Sequence, residues 1–409
     1  MRILVLAPEI PATSRMPGSP RLFSLTRELS RHHDLVLATF SSSPERYEAF
    51  QSDPEGADVY RRVVLLPGPP EPSWAGQQWH RLHMAAHFET RYRHREYHRA
   101  LILAVRDLCV EERSDVLYVD SLRMCQYTGG EARIPTVADL HDSLTLLATR
   151  LLDSATGPLE RFQAYFVLSA VRRLERSLAD SCDLLVTNSP VDEAVIKELA
   201  ATSETLTITN GVDTEFFSPD GREESADKLV FTGVMSYQPN EDAALFFARD
   251  IFPLVKAARP KAEFWIVGAQ PSGRVQDLTR IAGVHVTGKV EDVRPFVRSA
   301  ALFVCPLRVG AGVKNKLLAA MAMRKATVAT TLSIQGLDLA DNSELLLADG
   351  AEAFATKVIH LLSHPDEARR LASNGCTRVQ ERYSWATMGQ SLDAALRRVV
   401  DERRRHGRG

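Results

Sequence analysis

The sequence predicts an α/β protein built from two parallel sheets, each covered by helices on both faces. Three observations lead there. The candidate strands are short, uniformly apolar runs, where a half-exposed sheet would alternate. Amphipathic helical patterns separate them. The whole scheme then occurs twice along 409 residues, more than one core comfortably holds.

In the first half the strand candidates are Ile3–Leu6, Leu35–Thr39, Val63–Leu66, Val116–Val119, Thr136–Leu140 and Leu184–Thr187. Helical patterns at Pro20–Ser30 and Ala100–Glu112 fall between them. In the second half, Leu229–Thr232, Glu263–Val267, Val284–Thr287, Leu302–Cys305 and Thr327–Thr330 read as strands. Asp242–Lys256, Arg274–Ile281, Val293–Ser299 and Lys314–Met323 read as helices, and two more follow Ala351 and Pro365. Strand–helix alternation of this kind gives two Rossmann-like layers. Asn210-Gly211 and a charged, Pro-bounded stretch mark a linker. The expected division is 1–208, a hinge at 209–227, 228–385, and a final helix over 386–409 that packs back on the first domain and frays after Arg403.

Composition excludes several classes. Apolar residues make up 44% and charged residues 25%, as in ordinary globular chains. A net charge of -2 supplies no field for nucleic acid. Five cysteines without a CxxC pair give neither a disulfide framework nor a zinc site and suit a reducing cytosol. Cys305 ends an apolar run and reads as buried packing. The apolar stretch at Ile3–Leu6 is too short for a signal peptide or a span, so the expected location is cytoplasmic.

In open α/β sheets ligands bind at the carboxyl ends of strands, so polar loops after strands carry the chemistry. Pro306-Leu307-Arg308-Val309-Gly310-Ala311-Gly312-Val313-Lys314-Asn315-Lys316 leaves a buried strand and opens a helix. Glycines and free helix-start N–H groups form an anion cradle. Arg308, Lys314 and Lys316 oppose the helix dipole unless an anion is bound; otherwise the lysines are a solvated first turn. After the first strand, Pro8 to Arg21 is a polar loop that leads into an amphipathic helix, and on its residues alone it reads as a strand-to-helix turn with Ser19 as cap and Pro20 at the first helical position. Asp139-Leu140-His141-Asp142-Ser143 also follows a strand. There His141 and Asp142 are the catalytic candidates, against a purely structural histidine. His-x-x-x-His pairs at 83/87 and 94/98 lack a third ligand, so no metal is expected.

The motifs Asn-Gly-Val-Asp-x3-Phe-x-Pro, Phe-Thr-Gly-Val-Met-Ser-Tyr-x-Pro-Asn-x-Asp-Ala, Trp-Ile-Val-Gly, Val-Thr-Gly-Lys-Val-x-Asp-Val-Arg-Pro and Pro-Leu-Arg-x-Gly-x-Gly-x-Lys occur in order from about 205 to 390. Together they resemble glycosyltransferase family 4, in its bacterial exopolysaccharide-type sugar transferase branch. The resemblance implies a GT-B fold, two Rossmann-like domains facing across a cleft that closes at the hinge. It also implies a nucleotide-diphosphate sugar donor, a retaining transfer and no obligatory metal or other cofactor.

By the same resemblance, Arg308, Gly310, Gly312, Lys314 and Lys316 lie near the diphosphate, and Gly18 and Arg21 cover it. Gly288 and Val290 receive the base. Gly233 and Met235 face the cleft, and Ser333 and Gly336 flank the donor sugar. Two Glu common in the family are Ala311 and Ala319 here, the second at the ribose-binding position. That departure keeps two other readings open: a non-catalytic binding partner, or a nucleotide-sugar epimerase or phosphorylase on the same fold.

The acceptor is a glycan, a lipid-linked carrier or a small molecule, recognised by loops such as 67–80 and 141–160. The basic, aromatic stretch 79–99 is a candidate for peripheral membrane contact at the inner face, or else a solvated surface. The helix at 160–178 carries Arg172, Arg173 and Arg176 among apolar residues, a pattern for one packed and one solvated face.

Overall fold

A computed structural model describes residues 1–13, 20–40, 44–67, 95–128, 134–155, 157–221, 224–310 and 312–406. The chain divides into two compact units, 1–209 with 389–409, and 210–388. Both are α/β with wholly parallel sheets, a Rossmann-like layer in each unit.

The first unit holds β1 (Arg2–Ala7), β2 (Asp34–Phe40), β3 (Arg62–Leu66), β4 (Val116–Asp120), β5 (Thr136–His141), β6 (Leu184–Thr187) and β7 (Glu204–Thr207). Their order across the sheet is β3-β2-β1-β4-β5-β6-β7. Central strands such as β4 and β6 are buried at every residue, which is why they read as continuous apolar runs. β7 is Glu-Thr-Leu-Thr at the sheet edge, half-buried, and carries no such run.

The second unit holds β8 (Ser225–Thr232), β9 (Glu263–Val267), β10 (Val284–Val286), β11 (Ala300–Cys305), β12 (Ala326–Ala329) and β13 (Leu346–Leu347), in the order β10-β9-β8-β11-β12-β13. Where the pattern predicts one helix over Asp242–Lys256, Gln238–Phe246 runs into a π-turn at Phe247–Ile251 and then Phe252–Ala258. Pro253 has no N–H to close the α-helical ladder there, and a widened turn absorbs the mismatch.

Two expectations change at the boundaries. The segment read as a hinge is folded into the second unit. The Val212 N–H donates to the Tyr383 carbonyl at 2.8 Å, and a Cβ on Gly211 would lie 2.8 Å from the Trp385 ring. The last helix runs Trp385–His406, beyond the fraying point read from the sequence. From Gly389 onward it belongs to the first unit, where Leu392 and Leu396 are wholly buried. His33 to Asp393 at 2.6 Å and Arg404 to Asp115 at 2.6 Å hold it there. Likewise, part of the 141–160 loop is the Leu144–Ser154 helix, capped by Ser143, whose hydroxyl accepts from the Leu146 N–H at 3.2 Å.

Candidate functional site

At the carboxyl end of the first sheet, β4 and β5 end beside each other, with Asp120 in register with Asp139. Asp139 is fully buried. It accepts from Arg21 Nε at 2.9 Å, Arg21 Nη2 at 3.1 Å, Tyr118 Oη at 2.8 Å and the His141 N–H at 3.2 Å. Burial opposes its charge, but Arg21 outweighs this and holds the carboxyl below its ordinary range. Arg21 is only 1% exposed. Its guanidinium is committed to Asp139, which corrects its assignment as a diphosphate contact. Gly18 lies outside the described residues.

His141 has φ +65°, a left-handed backbone for a non-glycine residue, where the β5–β6 register shifts. That geometry turns its Nε2 onto Asp120 Oδ1 at 2.8 Å. Burial disfavours the cation, yet the Asp120 hydrogen bond and the charge of Asp139 prevail, and the imidazole pKa is raised. Asp142 is exposed and accepts from Asn188 Nδ2 at 3.3 Å. A cavity of about 280 Å³ opens here, lined among others by Glu9, Arg46, Asp120, Ser121, Arg123 and His141. The Ser121 hydroxyl is buried without a hydrogen-bond partner among the described residues. Arg46 fixes the loop after β1 by donating to the Ile10 carbonyl at 2.8 Å.

The turn carrying His141 is braced from behind. Glu175 is buried and accepts from the Leu144 N–H at 2.7 Å and from the Ser143 hydroxyl at 3.2 Å. Asp192 accepts from the Ser143 N–H at 2.9 Å. A carboxylate at a helix N-terminus satisfies orphan N–H groups and meets the positive end of the dipole. Even so, burial pushes Glu175 up from its ordinary value.

In the second unit, β11 ends at Cys305 and the chain enters the Asn315–Ala322 helix through Gly310 (φ +124°) and Gly312 (φ +70°). Lys316 turns inward. Its Nζ donates to Asn240 Oδ1 and stands 4.6 Å from the centre of the Phe231 ring. Asn240 is fixed in turn by donating from Nδ2 to the Val234 carbonyl at 2.9 Å. Space for the ammonium exists because residue 233 is glycine: a Cβ would sit 2.9 Å from Lys316 Nζ. Gly268 (φ +147°) packs against the same turn, where a Cβ would come within 1.9 Å of the Gly233 carbonyl oxygen. Burial lowers the Lys316 pKa to about 8. Among the described residues no carboxylate pairs with it.

The other predicted residues divide. Lys314 is buried and its ammonium donates to the Gly312 carbonyl at 2.7 Å, closing the loop on itself. Arg308 is held by Asp242 (2.6 and 3.0 Å) and lies over Phe246, so it is not a free cation. Gly288 (φ +70°) and Gly336 (φ +81°) are left-handed turns, and Val290 packs on the core. Met235 is wholly buried and offers no side chain to a ligand. Ser333 is also buried, its hydroxyl donating to the Cys305 carbonyl at 2.7 Å. Both correct their expected roles.

Ala319 is half-buried against the core, and Ala311 lies outside the described residues. So do 68–94, most of the basic stretch, including His83, His87 and His94. Among the described residues no cluster of three metal-ligating side chains forms, and no helix is long and apolar enough to cross a membrane.

Asn240, Gly268, Asp120 and Glu175 are the contributors that sequence reasoning missed. Asn240 sits in a quoted motif, just after Pro239, but its partner Lys316 is 76 residues away.

Residues 226–364 match the family described as glycosyl transferases group 1. A 44.6 kDa uncharacterized protein from the cps region of Klebsiella pneumoniae is 22% identical over 163 residues, 38% of this chain and 42% of that protein. The chain thus aligns with less than half of that relative's length. Sucrose-phosphate synthase from Thermosynechococcus elongatus superposes with a TM-score of 0.69 at 16% identity, covering 98% of this chain and 100% of its own. Anabaena HepE, solved in complex with UDP, superposes with a TM-score of 0.66 at 14% identity, covering 97% and 99%. At such identities these likenesses speak for the fold.

Proposed function

We propose that this chain, whose residues 226–364 match the family described as glycosyl transferases group 1, is a glycosyltransferase that moves a sugar from a nucleotide-diphosphate donor to an acceptor hydroxyl, with retention of configuration. The Lys316 pocket carries the donor half of this reading. It holds a desolvated ammonium with neutral partners at the start of a helix, behind two left-handed glycines. A diphosphate supplies the counter-charge that burial withholds, and helix-start N–H groups add to it.

Arg308 joins by exchanging Asp242 for phosphate. An exposed pair of that kind is worth about 0.2–1 kcal/mol, against about 1.5–3 kcal/mol for a hydrogen bond to a charged group. As the glycosidic bond breaks, the diphosphate keeps the electron pair, and Lys314, Lys316 and the helix meet its charge without an obligatory metal. Gly233, Gly288, Val290 and Gly336 flank base and sugar through backbone.

The acceptor half belongs to the first unit. His141, oriented by Asp120, offers an imidazole N–H to a sugar hydroxyl, and Asp142 orients the same group. The acceptor is a glycan, a lipid-linked carrier or a small molecule. HepE was solved with UDP, so UDP is the first probe. Calorimetry with UDP and GDP is expected to show binding of one of them, and Lys316→Met to weaken it roughly 10- to 100-fold. Undiminished affinity in that variant would overturn the phosphate assignment.

Ala319 favours one second reading, a catalytically degenerate partner that binds a sugar polymer, because the resemblance implies a ribose-binding Glu there. Measurable turnover of a nucleotide sugar would exclude it. An absence of nucleotide binding would favour it.

A further inference from the structure

The first unit carries an apolar surface that neither its core nor its cavity uses. The Leu144–Ser154 and Pro158–Ser177 helices pack as an antiparallel hairpin, joined by a small core of Ala148, Leu168 and Val171. Its outer side exposes Leu147, Leu151, Leu159, Phe162, Tyr165 and Phe166, with Leu159 and Phe162 at 68% and 67%. Isolated exposed apolar residues are ordinary. These are patterned within each helix: Leu147 and Leu151 lie one turn apart, and Leu159, Phe162 and Phe166 follow helical spacing along one stripe. That departs from the packed-and-solvated pattern read from the sequence.

Charge selects the occupant. The hairpin exposes Arg150, Arg161, Arg172, Arg173 and Arg176 against only Asp153 and Glu160. The apolar side chains gather toward the free end. Arg173 continues the Phe162–Phe166 stripe two turns back toward the sheet, roughly 10 Å from Phe166 at helical rise. An interfacial helix buries its apolar face by about 5–10 Å, with basic side chains at headgroup level. We infer that this hairpin seats the first unit on an anionic lipid surface, the Leu and Phe side chains entering the acyl boundary and the arginines meeting lipid phosphates. The hairpin starts at Leu144, directly after His141-Asp142-Ser143, so its root is also the rim of the cavity. This surface is distinct from the 79–99 stretch singled out in the sequence.

The test uses the full chain without nucleotide sugar, so that failure of the donor reading leaves it untouched. Sedimentation with phosphatidylglycerol-rich vesicles should pellet the protein, with much weaker binding to pure phosphatidylcholine and release by high salt. F162S/F166S should lose roughly tenfold or more of that affinity with circular dichroism unchanged. R172Q/R173Q should lose the preference for the anionic lipid. Phe162→Trp gives a reading that does not depend on a disruptive variant, because emission from the introduced indole should shift to the blue on vesicle addition. Wild-type protein remaining in the supernatant, or no blue shift in the Phe162→Trp variant, overturns the inference. So does a dimer in solution that F162S/F166S abolishes while vesicles bind neither form, since the face is then a contact between copies.

Discussion

The two sheets each end in a charged loop, and the loops treat burial in opposite ways. In the first unit, Arg21 and Asp139 are sealed together, and His141 is held by Asp120. In the second, Lys316 is desolvated with an amide oxygen and an aromatic ring for company. Paired burial fixes geometry; unpaired burial leaves affinity to be filled. The first arrangement suits a scaffold that aims one imidazole, the second a pocket awaiting an anion.

Breaking the sealed pair should have the largest effect. Arg21→Met leaves Asp139 buried and uncompensated, at a cost of about 3–5 kcal/mol, or about 6–20 °C in the melting midpoint of the first unit by calorimetry. Unchanged stability would mean the pair is not sealed as described.

The same kind of change at the other loop should run the other way. Lys316→Met removes a desolvated cation, so its melting midpoint should hold or rise by about a few degrees while nucleotide affinity falls. The pH dependence sharpens the contrast. Lys316 holds its proton below about 8 in the folded chain, against an ordinary value of 10.5. Diphosphate affinity should therefore fall as pH rises from about 7 to about 9. Folding stability from this group should increase across the window between the two values, where the unfolded chain binds the extra proton.

Asp120→Asn should give the smallest effect, on the order of 1 kcal/mol. The raised His141 pKa makes this pair stabilising below the ordinary histidine value of 6.5, with the contribution lost as pH climbs through the folded value. The variant should flatten that dependence and lower the imidazole titration followed by proton NMR.

Much of this is legible in one sequence because buried parallel strands write themselves as apolar runs. The strands that escape lack that signature: β7 has a single apolar residue among three polar ones at an edge, and β13 is two residues long. The loop after β11, proposed as the diphosphate site, is legible in its glycines and lysines. What those cations do is not, since it depends on partners distant along the chain. Arg308 meets Asp242 across 66 residues and Arg21 meets Asp139 across 118. Met235 and Ser333 take their expected roles from motif position, while their side chains turn into the core. The Leu144–Ser154 helix does carry a local signal, a serine just before an apolar stretch, although its polar surroundings read as loop.

The last helix has a consequence for how the chain comes into being. Leu392, Leu396 and Val399 complete the core of a unit whose first strand is Arg2–Ala7. A chain emerging from the ribosome therefore presents all of 210–388 before the first unit acquires its closing helix. The unit that begins first finishes last. Until then its uncovered flank is exposed apolar surface, a place for a chaperone to hold or for a truncated chain to aggregate.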